Sequence, residues 1–350
     1  PIDVAFIAAP TADPMGNCTG KTGKSACGSL GYAFADAMYA KKSVVITDNL
    51  AEYPLVDASI SEDYIDYVVC VDKIGEPSGI VSGTTKITKD PVGLVIADYA
   101  ARAIEASGLL VDGFSFQTGA GGASLAAAKY LQDIMLRKNI KGSYGLGGIT
   151  SYMVDMLNSG CFKALYDVQC FDLGAVESIR TNPNHMEISG SRYASPTAKS
   201  SAVDSLDVVI LGATEIDTNF NVNVHTDSNG YIMGGSGGHS DTAAGAKMAM
   251  IVAPLSRARL PIVVDEVICK STPGNTVDVL VTQRGIAVNP LRPELSERFR
   301  AAGLPVVDIR TLRDDAVKLN GKPRKPVLGD KEVAKVLYRD GTLLDTIYNV

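Results

Sequence analysis

The feature that most constrains the fold is an internal repeat. The stretch "IDVAFIAAPTADPMGN" at 2–17 returns as "LDVVILGATEIDTNFN" at 206–221, matching Asp3 with Asp207, Val4 with Val208, Asp13 with Asp217 and Asn17 with Asn221. Further on, "AKKSVVI" (40–46) returns as "AKMAMIV" (246–252). Each copy reads as an apolar strand, a polar Asn/Gly loop, a glycine-rich loop, a small-residue helix and a second strand. A chain that repeats such a unit is expected to build two related domains. The second copy follows an α/β pattern running from about 87 to 205, and the first follows nothing, so the first domain is expected to be truncated at its N-terminus.

The stretch before the second copy alternates strand and helix. Apolar spacing predicts a helix over 93–107 that Gly108 ends. A strand follows at 112–117, then a glycine loop opening into a helix at 118–138, a short strand at 140–144, a glycine turn "GLGG" at 145–148, a helix ended by Gly160, and a strand from Phe162. Units of this kind in series predict a mainly parallel sheet with helices on its faces. Towards the C-terminus we expect a strand at 277–282, a helix beginning at Pro293, a strand at 304–309, and an antiparallel hairpin turning at Asp340-Gly341.

Composition narrows the function classes. With 46% hydrophobic and 21% charged residues the chain is globular, and a net charge of −6 without a long basic run argues against nucleic acid or an anionic membrane as partner. No apolar run reaches the roughly 18–20 residues that span a bilayer. Cys18, Cys27, Cys70, Cys161, Cys170 and Cys269 contain no CxxC pair, so neither a zinc knuckle nor a disulfide scaffold fits; reduced thiols, a cytoplasmic location and no metal are expected.

The glycine loops carry the chemistry. "QTGAGGAS" places Thr118, Gly119, Ala120, Gly121 and Gly122 between a strand and a helix, where free backbone N–H groups meet a negative ligand or an oxyanion. "GLGG" supplies Gly147 and Gly148, and "GGSGGHSD" supplies Gly235, Gly237, Gly238 and His239. Ligands of parallel sheets bind beyond the carboxyl ends of the strands, and all three loops follow strands. "GNCTGKTGKS" (16–25) has Cys18 where a phosphate loop requires glycine, which excludes that motif, although Lys21 and Lys24 remain candidates to meet an anion. Glu215 follows the strand "DVVILGA" and reads equally as a site carboxylate or as a strand-end acid bonded to loop amides. His185 and His225 lie too far apart in sequence to define a triad, and Asp241 reads as the cap of the helix beginning "TAAGAKMAM".

Taken together, "GKSACGSLGYA", "DGFSFQTGAGGASLAAAKYL", "EIDTNFNVNV", "GGHSDTAAGAK" and "VDVLVTQRGIAVNP" resemble the citrate lyase alpha subunit family, which belongs with the CoA-transferases. The resemblance runs essentially the whole length. It implies a CoA-transferase-like fold of two related, open, mostly parallel α/β domains, with residues 1–86 forming the C-terminal part of the first and 87–350 the second. It also implies that about the first third of a typical family chain is absent.

For function, the resemblance implies exchange of acetyl for citryl on the CoA-like phosphoribosyl-dephospho-CoA group of a gamma acyl carrier protein, with citrate consumed and acetate released. A beta subunit then cleaves the citryl thioester, and the whole is an oligomeric complex. Thr118–Gly122, Gly147, Gly148, Gly235, Gly237 and Gly238 would face the CoA-like group, and Glu215 and His239 are the catalytic candidates. Lys24, Arg192 and Arg284 are candidates to meet the citrate anion. Many CoA-transferases attack with a glutamate at the position that Gly147 occupies here, so direct attack by a citrate carboxylate is expected. The competing readings are a transferase or hydrolase for another short acyl-CoA, and a structural subunit inactive as a fragment.

Overall fold

The computed structural model describes residues 2–80 and 85–350. Its contacts divide the chain into two compact units, one of residues up to Thr85 with Lys141–Ala202, the other of Lys86–Ile140 with Val203–Val350. A single boundary at 86/87 therefore does not describe these contacts. The physical reason lies in backbone ties within the first unit. The Ser29 hydroxyl donates to the Asp167 carbonyl at 2.9 Å and Leu30 N–H to the Glu187 carboxylate at 2.6 Å. A Cβ on Gly31 would strike the carbonyl oxygens of Val168 and Ile188.

In the first unit Val4–Ala8, Lys42–Thr47 and Tyr67–Cys70 form one parallel sheet. Val4–Ala8 alternates exposed and buried residues, and Ala5 and Ile7 on its inner face are 7% and 4% exposed. Gly142–Ile149, Phe162–Cys170 and His185–Glu187 form a second parallel set. The expected turn at 145–148 is instead part of the strand Gly142–Ile149, with a bulge at Gly147/Gly148. Close packing explains the glycines: a Cβ on Gly145 would meet Met153 and Leu165, and one on Gly148 the ring of Phe171.

In the second unit Phe116–Gln117, Val208–Leu211, Met248–Val252 and Val279–Thr282 run parallel in adjacent pairs, and Gly285–Val288 closes the edge antiparallel. Val208–Leu211 and Met248–Val252 are buried at every position, which is why both read as unbroken apolar runs. The helices Pro91–Ala106 and Gly122–Lys138 carry fully buried alanines, including Ala97, Ala100, Ala126, Ala127 and Ala128. Asp90 caps the first at Val92 N–H.

Three local expectations change. Only Phe116–Gln117 of 112–117 is strand, because Gly113 turns the chain at φ +88°. Residues 304–308 make one bridge, Val306 to Ile286, before the Asp308 side chain caps the helix Ile309–Asn320. Asp241 is not a cap; it lies inside the helix His239–Gly245, which starts from Gly238. The hairpin Glu332–Leu337 and Leu343–Tyr348 is present, with Gly341 at φ +86° in its turn.

The repeat has a structural basis in each unit. Asp13 N–H donates to Asn17 O at 2.9 Å while Asn17 Nδ2 returns to the Asp13 carboxylate at 2.9 Å. Asp217 N–H donates to Asn221 O at 3.0 Å, and Asn221 Nδ2 returns to Asp217 at 3.0 Å. Each turn joins a short antiparallel pair, Thr11–Ala12 with Cys18–Thr19 and Glu215–Asp217 with Val222–Asn223.

Candidate functional site

The carboxyl ends of the second unit's parallel strands position the site. Gln117 leads into Thr118–Gly121, and Leu211, on the neighbouring strand, leads into Gly212. Gly119 N–H donates to Ile210 O at 3.1 Å and holds the two turns together. Gly121 precedes the helix Gly122–Lys138 without any side-chain cap, so the first-turn N–H groups remain for a ligand or solvent. Gly119 and Gly121 have no positive φ, and a Cβ on either would meet only ordinary contacts at 3.6–3.8 Å. Neither fold nor packing demands glycine there; a ligand approaching the backbone would. Gly122 differs, because a Cβ there would press on the backbone of Lys86 and Thr88.

Gly234, Gly235, Ser236 and Gly237 line a cavity of about 510 Å3. Among the described residues, the N–H groups of Gly234, Gly235, Ser236, Gly237 and Gly238 take no intramolecular acceptor. Nothing lies within 4 Å of a Cβ built on Gly234, Gly235 or Gly237. Sequence reasoning missed the opposite wall, which the C-terminal hairpin supplies through Lys335 to Arg339. Arg339 Nε pairs with Asp241 at 3.2 Å. Burial pushes the Asp241 carboxyl above the usual range, with Arg339 opposing it. His225 faces the same cavity and is held through Nδ1 to Ser271 Oγ at 2.6 Å.

His239 is an anchor. Its Nε2 lies 2.8 Å from Gly212 O, an acceptor only, so Nε2 carries the proton and Nδ1 accepts from Thr272 Oγ1 at 2.7 Å. Burial pushes its pKa down to about 4, and the ring is neutral at pH 7 with both nitrogens engaged. It therefore fastens the glycine loop to the Val208–Leu211 strand end, two residues beyond the carbonyl that holds Gly119. The loops 118–122 and 234–238 are thus both tied to the end of one strand, although none of residues 118–122 lines the cavity.

The other expected residues are not among those lining the glycine-loop cavity. Glu215, 3% exposed, faces a different cavity, which shares no lining residue with the glycine-loop cavity. Its Oε2 accepts from Asn223 Nδ2 and Ile268 N–H, both at 3.2 Å. Arg284 is exposed in the turn after Val279–Thr282, two strands from Val208–Leu211 and about 10 Å away at the usual strand spacing of about 4.8 Å. Gly147, Gly148, Lys24 and Arg192 belong to the first unit. There Lys24 Nζ donates to Asp72 O at 2.6 Å, and the Arg192 guanidinium sits 5.0 Å from the Tyr166 ring centre. Buried His185 bonds Asp167 at 3.0 Å and Ser178 at 2.9 Å, a packed polar chain. Among the described residues no cluster of His, Cys, Asp and Glu could hold a metal ion, and no helix is long and apolar enough to cross a membrane.

Parallel α/β units with glycine-bearing turns at the strand ends define a CoA-transferase-like fold. The alpha subunit of a malonate decarboxylase from Acinetobacter baumannii shares this fold, with a TM-score of 0.62 at 17% identity over 92% of this chain and 72% of that one. The alpha subunit of citrate lyase from Streptococcus mutans, solved in complex with citrate, superposes with a TM-score of 0.96 at 48% identity, covering 100% of this chain and 69% of that one. The family model described as citrate lyase, alpha subunit (CitF), matches residues 1–350. The citrate lyase alpha chains of Klebsiella pneumoniae and Escherichia coli are each 50% identical over 349 residues, all of this chain and 69% and 68% of theirs. The chain belongs to the citrate lyase alpha subunit family.

Proposed function

We propose that this chain is the citrate CoA-transferase component of citrate lyase, converting an acetyl thioester and citrate into a citryl thioester and acetate. The thioester is carried by the CoA-like group of a gamma acyl carrier protein, and a beta subunit cleaves the citryl product. One observation carries the reading: the N–H groups of residues 234–238 stand unpaired among the described residues, beside a cavity lined by Gly234 to Gly237, and neither φ nor packing requires glycine at 234 or 235. Such amides are the donors that a developing oxyanion needs.

A citrate carboxylate oxygen attacks the acetyl carbonyl, and collapse of the oxyanion expels the thiolate and leaves a citryl–acetyl anhydride. The thiolate then attacks the citryl carbonyl and expels acetate. The protein contributes orientation and amide donors. Direct transfer is supported by Gly147, which lacks a nucleophile, and by Glu215, which faces a separate cavity. A cytoplasmic setting fits the six free cysteines.

The test is citrate-dependent release of acetate from acetyl-CoA, followed by borohydride or hydroxylamine trapping. Exchange without modification of a glutamate is expected. A trapped glutamyl adduct would sink the direct mechanism, and absence of exchange under any acyl donor would sink the assignment.

A further inference from the structure

Two adjacent hydroxyls, Ser271 and Thr272, hold two imidazoles in the second unit. Thr272 Oγ1 gives its proton to His239 Nδ1, and Gly212 O closes the other end of that ring. Ser271 treats His225 in the same way but leaves its far end open. The Ser271 Oγ accepts from Val224 N–H at 2.9 Å and from His225 N–H at 3.2 Å, which fills both of its lone pairs. Its one proton therefore goes to His225 Nδ1, 2.6 Å away. Burial pushes the His225 pKa below its ordinary value, so the ring is neutral at pH 7 and carries its own proton on Nε2. Nε2 meets no protein partner among the described residues, and the ring lines the glycine-loop cavity.

This wiring removes the role most often given to a histidine. With Nδ1 occupied the ring has no lone pair left to act as a base, and at Nε2 it can only donate. The chain also brings it next to the loop amides. Met233 N–H donates to His225 O at 2.8 Å, a bridge joins Thr226 to Ile232, and Met233 leads directly into Gly234. A neutral imidazole can polarise a carbonyl without giving up its proton, as backbone amides do. We propose that His225 is the side-chain member of the oxyanion-binding set, donating from Nε2 to the acyl carbonyl oxygen alongside the amides of residues 234–238. No proton changes hands: the hydrogen bond strengthens as charge develops on that oxygen and relaxes when the tetrahedral centre collapses. This rests on the reading of the chain as a thioester transferase.

Two substitutions separate the ends of the ring. His225→Gln puts an amide donor near the position of Nε2, whereas His225→Asn keeps an amide near Nδ1 for Ser271 and removes the far donor. In citrate-dependent release of acetate from acetyl-CoA by the full chain, His225→Asn should lower kcat on the order of a hundredfold and change KM by less than about threefold. His225→Gln should stay within about tenfold of the wild type. The reverse order, or equal losses, would mean that the ring serves the fold through Ser271 and would overturn the proposal. Nitrogen-15 NMR of the wild-type chain tests the donor without turnover, using dethia-acetyl-CoA, a ketone that cannot be cleaved. His225 should show the Nε2–H tautomer, and the analogue should shift Nε2 while leaving Nδ1 in place. A proton on Nδ1, or an Nε2 resonance unmoved by millimolar analogue, would overturn the proposal even in an active enzyme. If the wild-type chain exchanges no acyl group yet Nε2 shifts with the ketone, the transferase reading fails and the carbonyl-binding role of His225 stands.

Discussion

His239 shows how a residue singled out from its neighbours acquires its role from burial. The loop "GGHSD" made the imidazole a natural candidate for proton transfer, but nothing in that spacing reveals that Gly212 and Thr272 occupy both ring nitrogens. Its consequence is a pH effect on stability. The unfolded histidine protonates below about 6.5, whereas the folded ring resists until about pH 4. Stability is therefore expected to fall as pH drops through that window, by up to about 3 kcal/mol. Urea midpoints between pH 7 and 4.5 read this, and His239→Gln should flatten the acid limb at a lower starting stability. Gly235 supplies the complementary case. Because a Cβ there meets nothing and no positive φ is required, Gly235→Ala should leave the urea midpoint within about 0.5 kcal/mol. Acetyl-to-citryl exchange should nonetheless fall on the order of a hundredfold, since the amide run must approach the acyl group closely. Equal losses of stability and rate would mean the glycine serves the fold.

Helices with strong apolar spacing were legible in advance. The expected 93–107 lies as Pro91–Ala106, and the helix from Pro293 runs to Ala301. Glycines inside strands were not, since "GLGG" looks the same in a turn and in a strand whose neighbours press on its face. Only Met153, Leu165 and Phe171, brought from elsewhere in the unit, decide the matter. Gly148→Ala should consequently destabilise by about 1–3 kcal/mol as the Phe171 ring is displaced, read as a lower thermal midpoint. A neutral outcome would show that the strand has room. The hairpin at 332–348 was expected from Asp340-Gly341, yet its contribution to a wall of the glycine-loop cavity depends on tertiary placement that periodicity does not encode.

At the scale of the whole chain, the repeat was the most informative signal, and the two glycine loops 118–122 and 234–238 are both tied to the end of the strand Val208–Leu211, through Gly119 and His239. The third is part of a strand and not a turn, and it belongs with Lys24 and Arg192 to the other unit. The long-range course of the chain, in which 141–202 rejoins the first unit, was invisible locally because it is set by a few backbone ties such as Ser29 to Asp167. The duplicated turn offers a matched test. Asp217→Ala strands Asn219 N–H, Asn221 N–H and Asn221 Nδ2, and Asp13→Ala strands Met15, Asn17 and Leu55 N–H. Each should cost about 3 kcal/mol of unfolding free energy, and hydrogen exchange should place each loss in its own unit.

A segment that occurs twice also records its own divergence. Around an identical acid–amide clasp, one copy sets Thr11 opposite Thr19 and the other sets Glu215 opposite Asn223. The clasp holds the bend, so the flanking pair is free to drift. An ancestor copied end to end would thereby have gained a second set of positions on which new chemistry was tried while the first kept the molecule folded.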